Sequence, residues 1–345
     1  MPQLKISFKE PESLHGSLFR VCVLGSLSLL LLNTRVQQWS QKGRGASWSV
    51  ANYWEMIVSS QTPCQTPTNP YIRYLNNTSD EIQNASAHWL SNLDRHMKKA
   101  DLEDMKRHNH NRFFPFDSLA SCKEISCIGG RCGADEAKII CGLEELQDDT
   151  NCVAYSIGGN NQWEFELDII SRTKCNVHTF DCTGDVTRFH KPDHSRIHFH
   201  HICLSDRYAA PNLACDKSRG LCGAMMTLKE IQTMLNHSRI DFLKMDIEGY
   251  EWPVFESWYA MSLGEKWVLP MQIAAEIHYR TYAVFEDLFH IANVTPSNKA
   301  DFRLPRDMVS LEEKMMRMGY IPIFNDLNAY CPHCTEVTWV RNAQC

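Results

Sequence analysis

Two carboxylates and a glycine close a run that otherwise reads as core. In IDFLKMDIEGYEW (240–252), Ile240, Phe242, Leu243 and Met245 have the spacing of a buried strand, which then stops at Asp246, Glu248 and Gly249. MQIAAEIHY (271–279) ends in the same manner, at Glu276 and His278. Strand-end carboxylates and a histidine can take the proton of a poor nucleophile such as a sugar hydroxyl, and carboxylates can hold a divalent ion that assists. Asp246, Glu248, Glu276 and His278 are therefore the candidate acid/base residues, His278 because an unperturbed imidazole titrates near neutrality. Asp246 and Glu276 are the pair for a metal if one is used, and activity that survives a chelator would dispose of it. Plainer roles stand beside these. The acids can cap the next helix or pair with Lys244 or Arg280, and His278 can be a satisfied histidine under the rim.

A second constellation lies upstream. Ser156-Ile157-Gly158-Gly159-Asn160-Asn161 follows the apolar stretch CVAY directly. Glycine there lets backbone approach a ligand, and the helix that follows opens on polar residues. The turn is not G-x-G-x-x-G, so a dinucleotide pyrophosphate is disfavoured, and with it an oxidoreductase. About twenty residues on, the next strand ends at Asp181, where a carboxylate can accept from both ribose hydroxyls. Together these features select a nucleoside ligand without a required pyrophosphate, a description that S-adenosylmethionine meets.

The elements needed to bring these residues together follow from the pattern after residue 150. CVAYSIGG, NVHTFDC, IHFHHICLSD, IDFLKMDIEG and MQIAAEIHY read as strands, while QWEFELDIISRT, LKEIQTMLNHS, YEWPVFESWY and LEEKMMRMG read as helices. Such alternation predicts a mostly parallel sheet covered on both faces. GYIPIFNDLN and TEVTWVR have no helix between them, which predicts an antiparallel pair at the sheet edge.

The order SIGGNN, ICLSD (202–206), TLKEI (227–231), DFLKMDIEGYEW and AAEIH (274–278) resembles the FkbM-type branch of class I S-adenosylmethionine-dependent methyltransferases, and within it the methyltransferase-like protein 24 group. The resemblance covers about residues 111–345, with LKMDIEGYEW and EIH its most specific parts. It departs in SIGGNNQWEFE, where the family more often has an acidic-x-Gly-x-Gly turn, and at Lys229, where an aspartate is usual. It implies a Rossmann-like fold with a seven-stranded sheet and an antiparallel C-terminal pair. It also implies S-adenosylmethionine bound by Ser156, Ile157, Gly158, Gly159, Asn160, Asp181, Ser205 and Asp246, and oxygen as the methyl acceptor.

Composition limits the partners. A net charge of −6 argues against a nucleic-acid surface and leaves a glycan or small molecule as acceptor. Hydrophobic content of 43% and charged content of 22% are ordinary for a globular domain. Residues 1–17 form a polar tail and 18–34 an apolar segment suited to a signal peptide or an uncleaved anchor, which would attach the chain to a membrane. Residues 35–110 read as a stem with one loose helical stretch, and 111–345 as the methyltransferase domain. Fifteen cysteines, and N-x-Ser/Thr sequons at Asn76, Asn77, Asn84, Asn236 and Asn293, point to the secretory pathway, either as a Golgi or endoplasmic reticulum lumenal domain or as a secreted protein. Cys331-Pro332-His333-Cys334 reads as a local disulfide, with zinc half-site and redox pair as the other readings. His190, His194, His198, His200 and His201 crowd one region and read as a strand end and its loop. Trp252, Trp258 and Trp267 have two readings, core or acceptor cleft. The alternative to an enzyme is a non-catalytic lumenal binding protein on the same scaffold. Titration with S-adenosylmethionine distinguishes the two.

Overall fold

The computed structural model describes residues 69–104, 110–134, 136–212, 220–262, 268–279, 303–327, 331 and 334–342. The tail, the apolar segment, Asn293, Trp267 and Arg280 lie outside the described residues, which all belong to one compact unit, Cys64–Cys345. Among the described residues no helix is long and apolar enough to cross a membrane.

In chain order the elements are α1 (Ser79–Ser91), α2 (Leu93–Asp104), β1 (Ile125–Ile128), β2 (Lys138–Cys141), α3 (Glu144–Gln147), β3 (Val153–Ile157), α4 (Glu164–Arg172), β4 (Asn176–Phe180), β5 (Ile197–His200), β6 (Ile202–Leu204), β7 (Ala224–Met226), α5 (Leu228–Leu235), β8 (Phe242–Met245), α6 (Glu251–Ser262), β9 (Gln272–His278), α7 (Pro305–Arg317), β10 (Tyr320–Asp326) and β11 (Cys334–Arg341). The main sheet has seven strands in the order β10-β11-β9-β8-β3-β4-β5. The chain leaves β3 for β4 on one side and later returns to β8 on the other. β3 and β8 therefore lie side by side at the reversal of strand order, with Ser156 opposite Lys244 and Ile157 opposite Met245. Only β11 runs against its neighbours, pairing antiparallel with both β9 and β10.

Alternation along the strands builds two cores. Tyr155, Ile157, Leu243, Met245, Ile273 and Ala275 face α5, α6 and α7, whereas Ala154, Val177, Phe242 and Ala274 face α4 and the Tyr71 turn. TLKEI proves to be a capping box: Thr227 accepts from the Glu230 backbone N–H, and the Glu230 carboxylate accepts from the Thr227 N–H at 2.8 Å. IHFHHICLSD is not one strand. It breaks at His201, and β6 leaves the main sheet to pair with β7.

The helices within the expected stem pack against α7. Trp89 and Ala100 meet Val309 and Met316, and Arg306 forks onto the Asp101 carboxylate. The Asn69 amide donates to the carbonyls of Met271 and Arg341 at 3.0 and 2.7 Å. Disulfides join Cys122–Cys141, Cys127–Cys132, Cys152–Cys175, Cys182–Cys203 and Cys331–Cys334.

Candidate active site

The glycine turn and the acidic turn are in direct contact. The Asp246 N–H donates to the Ile157 carbonyl at 3.1 Å, and Lys244 Nζ donates to the Gly158 carbonyl at 2.8 Å. Gly158 has φ +79°, and a Cβ placed there would sit 1.8 Å from the Asp246 carbonyl oxygen. Only glycine allows that approach. Asn160 and Asn161 continue the turn at φ 43° and 62°, a region that asparagine tolerates.

Asp181, at the end of β4, holds this turn from behind. One of its oxygens accepts from the Asn160 N–H at 2.8 Å, and the other from the Thr183 N–H and hydroxyl at 2.8 and 2.6 Å. Three of roughly four acceptor positions are thus filled from within the protein. Ser156 Oγ, in contrast, is buried at the end of β3 without a partner in the protein. A polar ligand group at the turn would satisfy it. These residues fit S-adenosylmethionine. Ser205, fully buried after β6, shares a hydrogen bond with the Tyr250 hydroxyl at 3.3 Å and donates to Asp206 at 3.2 Å. Tyr250 also donates to Asp206 at 3.2 Å, which ties the acidic turn to the ICLSD loop.

The extended conformation does not run through to Glu248. The chain leaves β8 at Asp246, and Glu248 adopts φ +58°. A non-glycine residue held there is costly, and such strain concentrates at functional sites. The turn still brings the predicted residues together: Asp246, Glu248 and His278 offer ligand atoms that all lie within 4.8 Å of one another. The side chains of Asp246 and Glu248 are 27% and 38% exposed, whereas those of Glu276 and His278 are buried beneath them.

Glu251 organises the buried layer. Its Oε1 accepts from the backbone N–H groups of Ile247 and Gly249 at 3.1 and 3.2 Å and faces His278 Nδ1 at 3.1 Å. His278 Nε2 is then directed at Glu248 (3.5 Å) and Glu276 (4.0 Å). Burial disfavours the imidazolium, but Glu251, Glu276 and Asp246 outweigh it and raise His278 to about 10. The ring therefore carries its proton at neutral pH. Trp252 donates to the His278 carbonyl at 2.6 Å and, with Trp258, packs in the core.

Lys138, on β2, reaches the cluster from outside the main sheet. It pairs with Glu336 of β11 and stands 4.0 Å from Asp246. Burial raises Asp246, but Lys138, Lys244 and His278 more than reverse this and hold it below the usual carboxylate range. Burial and the negative charges of Asp246 and Glu336 push Glu276 strongly upward. Glu276 thus keeps its proton and hydrogen-bonds Asp246. The result is a buried carboxylic acid backing a partly exposed carboxylate.

The sequence reading missed Glu251, Lys138 and Glu336. Glu251 shares the motif with Asp246 and could have been found as an acid in the first turn of α6. Lys138 and Glu336 carry no local signal.

A seven-stranded sheet with this strand order, a left-handed glycine turn on the first strand and an acid on the fourth is the arrangement of the class I methyltransferase fold. The chain belongs to the Methyltransferase domain family, whose model matches residues 75–341. It is 29% identical over 110 residues to the probable methyltransferase-like protein 24 of Homo sapiens. That match spans 31% of this chain and 28% of the human protein. Among solved structures it is similar to a fibrillarin/Nop5p complex at 10% identity and TM-score 0.32, covering 56% of this chain and 74% of that one. It is similar also to a caffeoyl-CoA O-methyltransferase from Staphylococcus aureus at 11% identity and TM-score 0.27, covering 57% and 78%.

Proposed function

We propose that this methyltransferase acts on a hydroxyl of a glycan or small molecule in the lumen of the secretory pathway. The supporting observation is the Asp246–Glu276 pair: an ionised, partly exposed carboxylate hydrogen-bonded to a buried acid. S-adenosylmethionine supplies an already activated methyl group. The protein must align the acceptor and receive its proton. As the alcohol oxygen forms its third bond it becomes an oxonium, far more acidic than any carboxylic acid, so a carboxylate of low basicity suffices. Asp246 accepts that proton. Glu248 orients the hydroxyl, and the positive charges of Lys138 and His278 keep Asp246 ionised until the transfer. Metal at Asp246 and Glu276 is the variant of this reading that a chelator tests.

The lumenal assignment rests on the paired cysteines of the bridges named above and on the exposed sequon residues Asn84 and Asn236. A glycosidase mobility shift on the expressed protein checks it, and an unshifted band overturns it. Donor-dependent labelling of a cell extract with wild type and Asp246→Ala tests the chemistry. Labelled glycan or small molecule with wild type alone supports the reading. Equal labelling by Asp246→Ala, or labelled protein or nucleic acid as the product, overturns it.

A further inference from the structure

The C-x-x-C segment is not a distant staple. Cys331 and Cys334 are both buried, and the Cys334 sulfur is in contact with Glu276 Oε1. One ligand atom each from Glu276, His278, Cys331 and Cys334 lie within 4.8 Å of one another, all buried. Two sulfurs, an imidazole and a carboxylate form a four-ligand set of the kind zinc takes in tetrahedral sites, with two of the ligands at C-x2-C spacing. Glu251 supplies the outer partner. It holds His278 Nδ1 at 3.1 Å, with Nε2 turned towards Glu248 at 3.5 Å and Glu276 at 4.0 Å. A carboxylate that fixes one nitrogen of a ligating histidine is the usual second layer of a zinc site.

We propose that Cys331, Cys334, Glu276 and His278 bind a zinc ion when the cysteine pair is reduced, and that the Cys331–Cys334 disulfide is the metal-free form of the same site. The exchange balances with a dithiol as reductant. The dithiol becomes a disulfide, and the Cys331–Cys334 bond takes up the two electrons and two protons to give two thiols. Zinc then displaces both thiol protons, the Nε2 proton of His278 and the carboxyl proton of Glu276 to water. Glu276 is thereby drawn from the Asp246 pair to the metal, so thiol state reaches the acid that faces the acceptor. This inference goes beyond the methyl acceptor, and its test does not use methyl transfer.

Cobalt(II) is the probe, because thiolate bonded to tetrahedral cobalt absorbs in the near ultraviolet. Two forms of the full chain are titrated. One is wild type whose 331–334 peptide alkylates after limited dithiothreitol treatment. The other is Cys331→Ser, in which Cys334 is a free thiol without any reductant. Both are expected to bind one cobalt with the thiolate band, and zinc is expected to displace it. Adding His278→Gln should abolish the band, and Glu251→Gln should weaken binding 10–100-fold while the thermal transition persists. Absence of the band in wild type with the 331–334 pair reduced, or a band unchanged by His278→Gln, overturns the proposal.

Discussion

Gly158 and the Asp246 carbonyl occupy adjoining space, and nothing larger than hydrogen fits on the Gly158 α-carbon where they meet. The glycine turn and the acidic turn are one structure. Gly158→Ala adds both a 1.8 Å clash and a left-handed penalty at φ +79°. The expected loss is at least about 2 kcal/mol of stability, together with loss of S-adenosylmethionine binding. Thermal unfolding with and without the donor measures both. Wild-type affinity in Gly158→Ala would show that the two turns are separable.

Lys138 is 2% exposed and anchored between Glu336 and Asp246. Lys138→Met leaves buried carboxylates without their cation, so a loss of about 3–5 kcal/mol is expected. Lys138→Met/Glu336→Leu should recover part of it. Urea unfolding of the single and double variants gives the coupling, and strict additivity would contradict the pairing.

Four histidines lie together at the other end of the sheet. His178 Nδ1 meets His200 Nε2 at 3.0 Å, and His198 and His237 pack on the His178 ring with centroids 4.7 and 4.6 Å away. Burial, then His237, His200 and His198, lower His178 to about 3. The unfolded chain binds this proton first, near the ordinary histidine value of roughly 6.5. Stability contributed by His178 is therefore present above that pH and is lost as pH falls towards the folded value. Between pH 7 and 5 the loss is about 2 kcal/mol. Denaturation of wild type and His178→Gln at the two pH values measures the change for the coupled cluster, since His198, His200 and His237 respond to the loss of His178. A difference that stays constant would refute the assignment.

The Cys152–Cys175 bridge ties the start of β3 to the start of β4, 23 residues apart. Replacing both by alanine is expected to cost about 3 kcal/mol by release of the unfolded chain. Differential scanning calorimetry would register this as a lowered Tm with methyl transfer retained.

Much of the architecture is legible before any coordinates. The strand runs after residue 150, the glycine turn and Asp246 have local signatures, and β3 and β8 meet as the alternating pattern requires. What escapes is non-local. Lys138 and Glu336 are separated by 198 residues and meet only because β2 lies beside β11. Glu248 enters the left-handed region because the Glu251 carboxylate binds the N–H groups on either side of it, at Ile247 and Gly249. The break at His201 is tertiary too. Gly223 approaches so closely that a Cβ there would sit 2.1 Å from the His201 carbonyl oxygen.

The placement of β11 sets a timetable for biogenesis. β10 pairs only with β11, which also completes the edge of β9. A chain emerging from the ribosome holds β9 and β10 with open backbone edges until residue 341 is available.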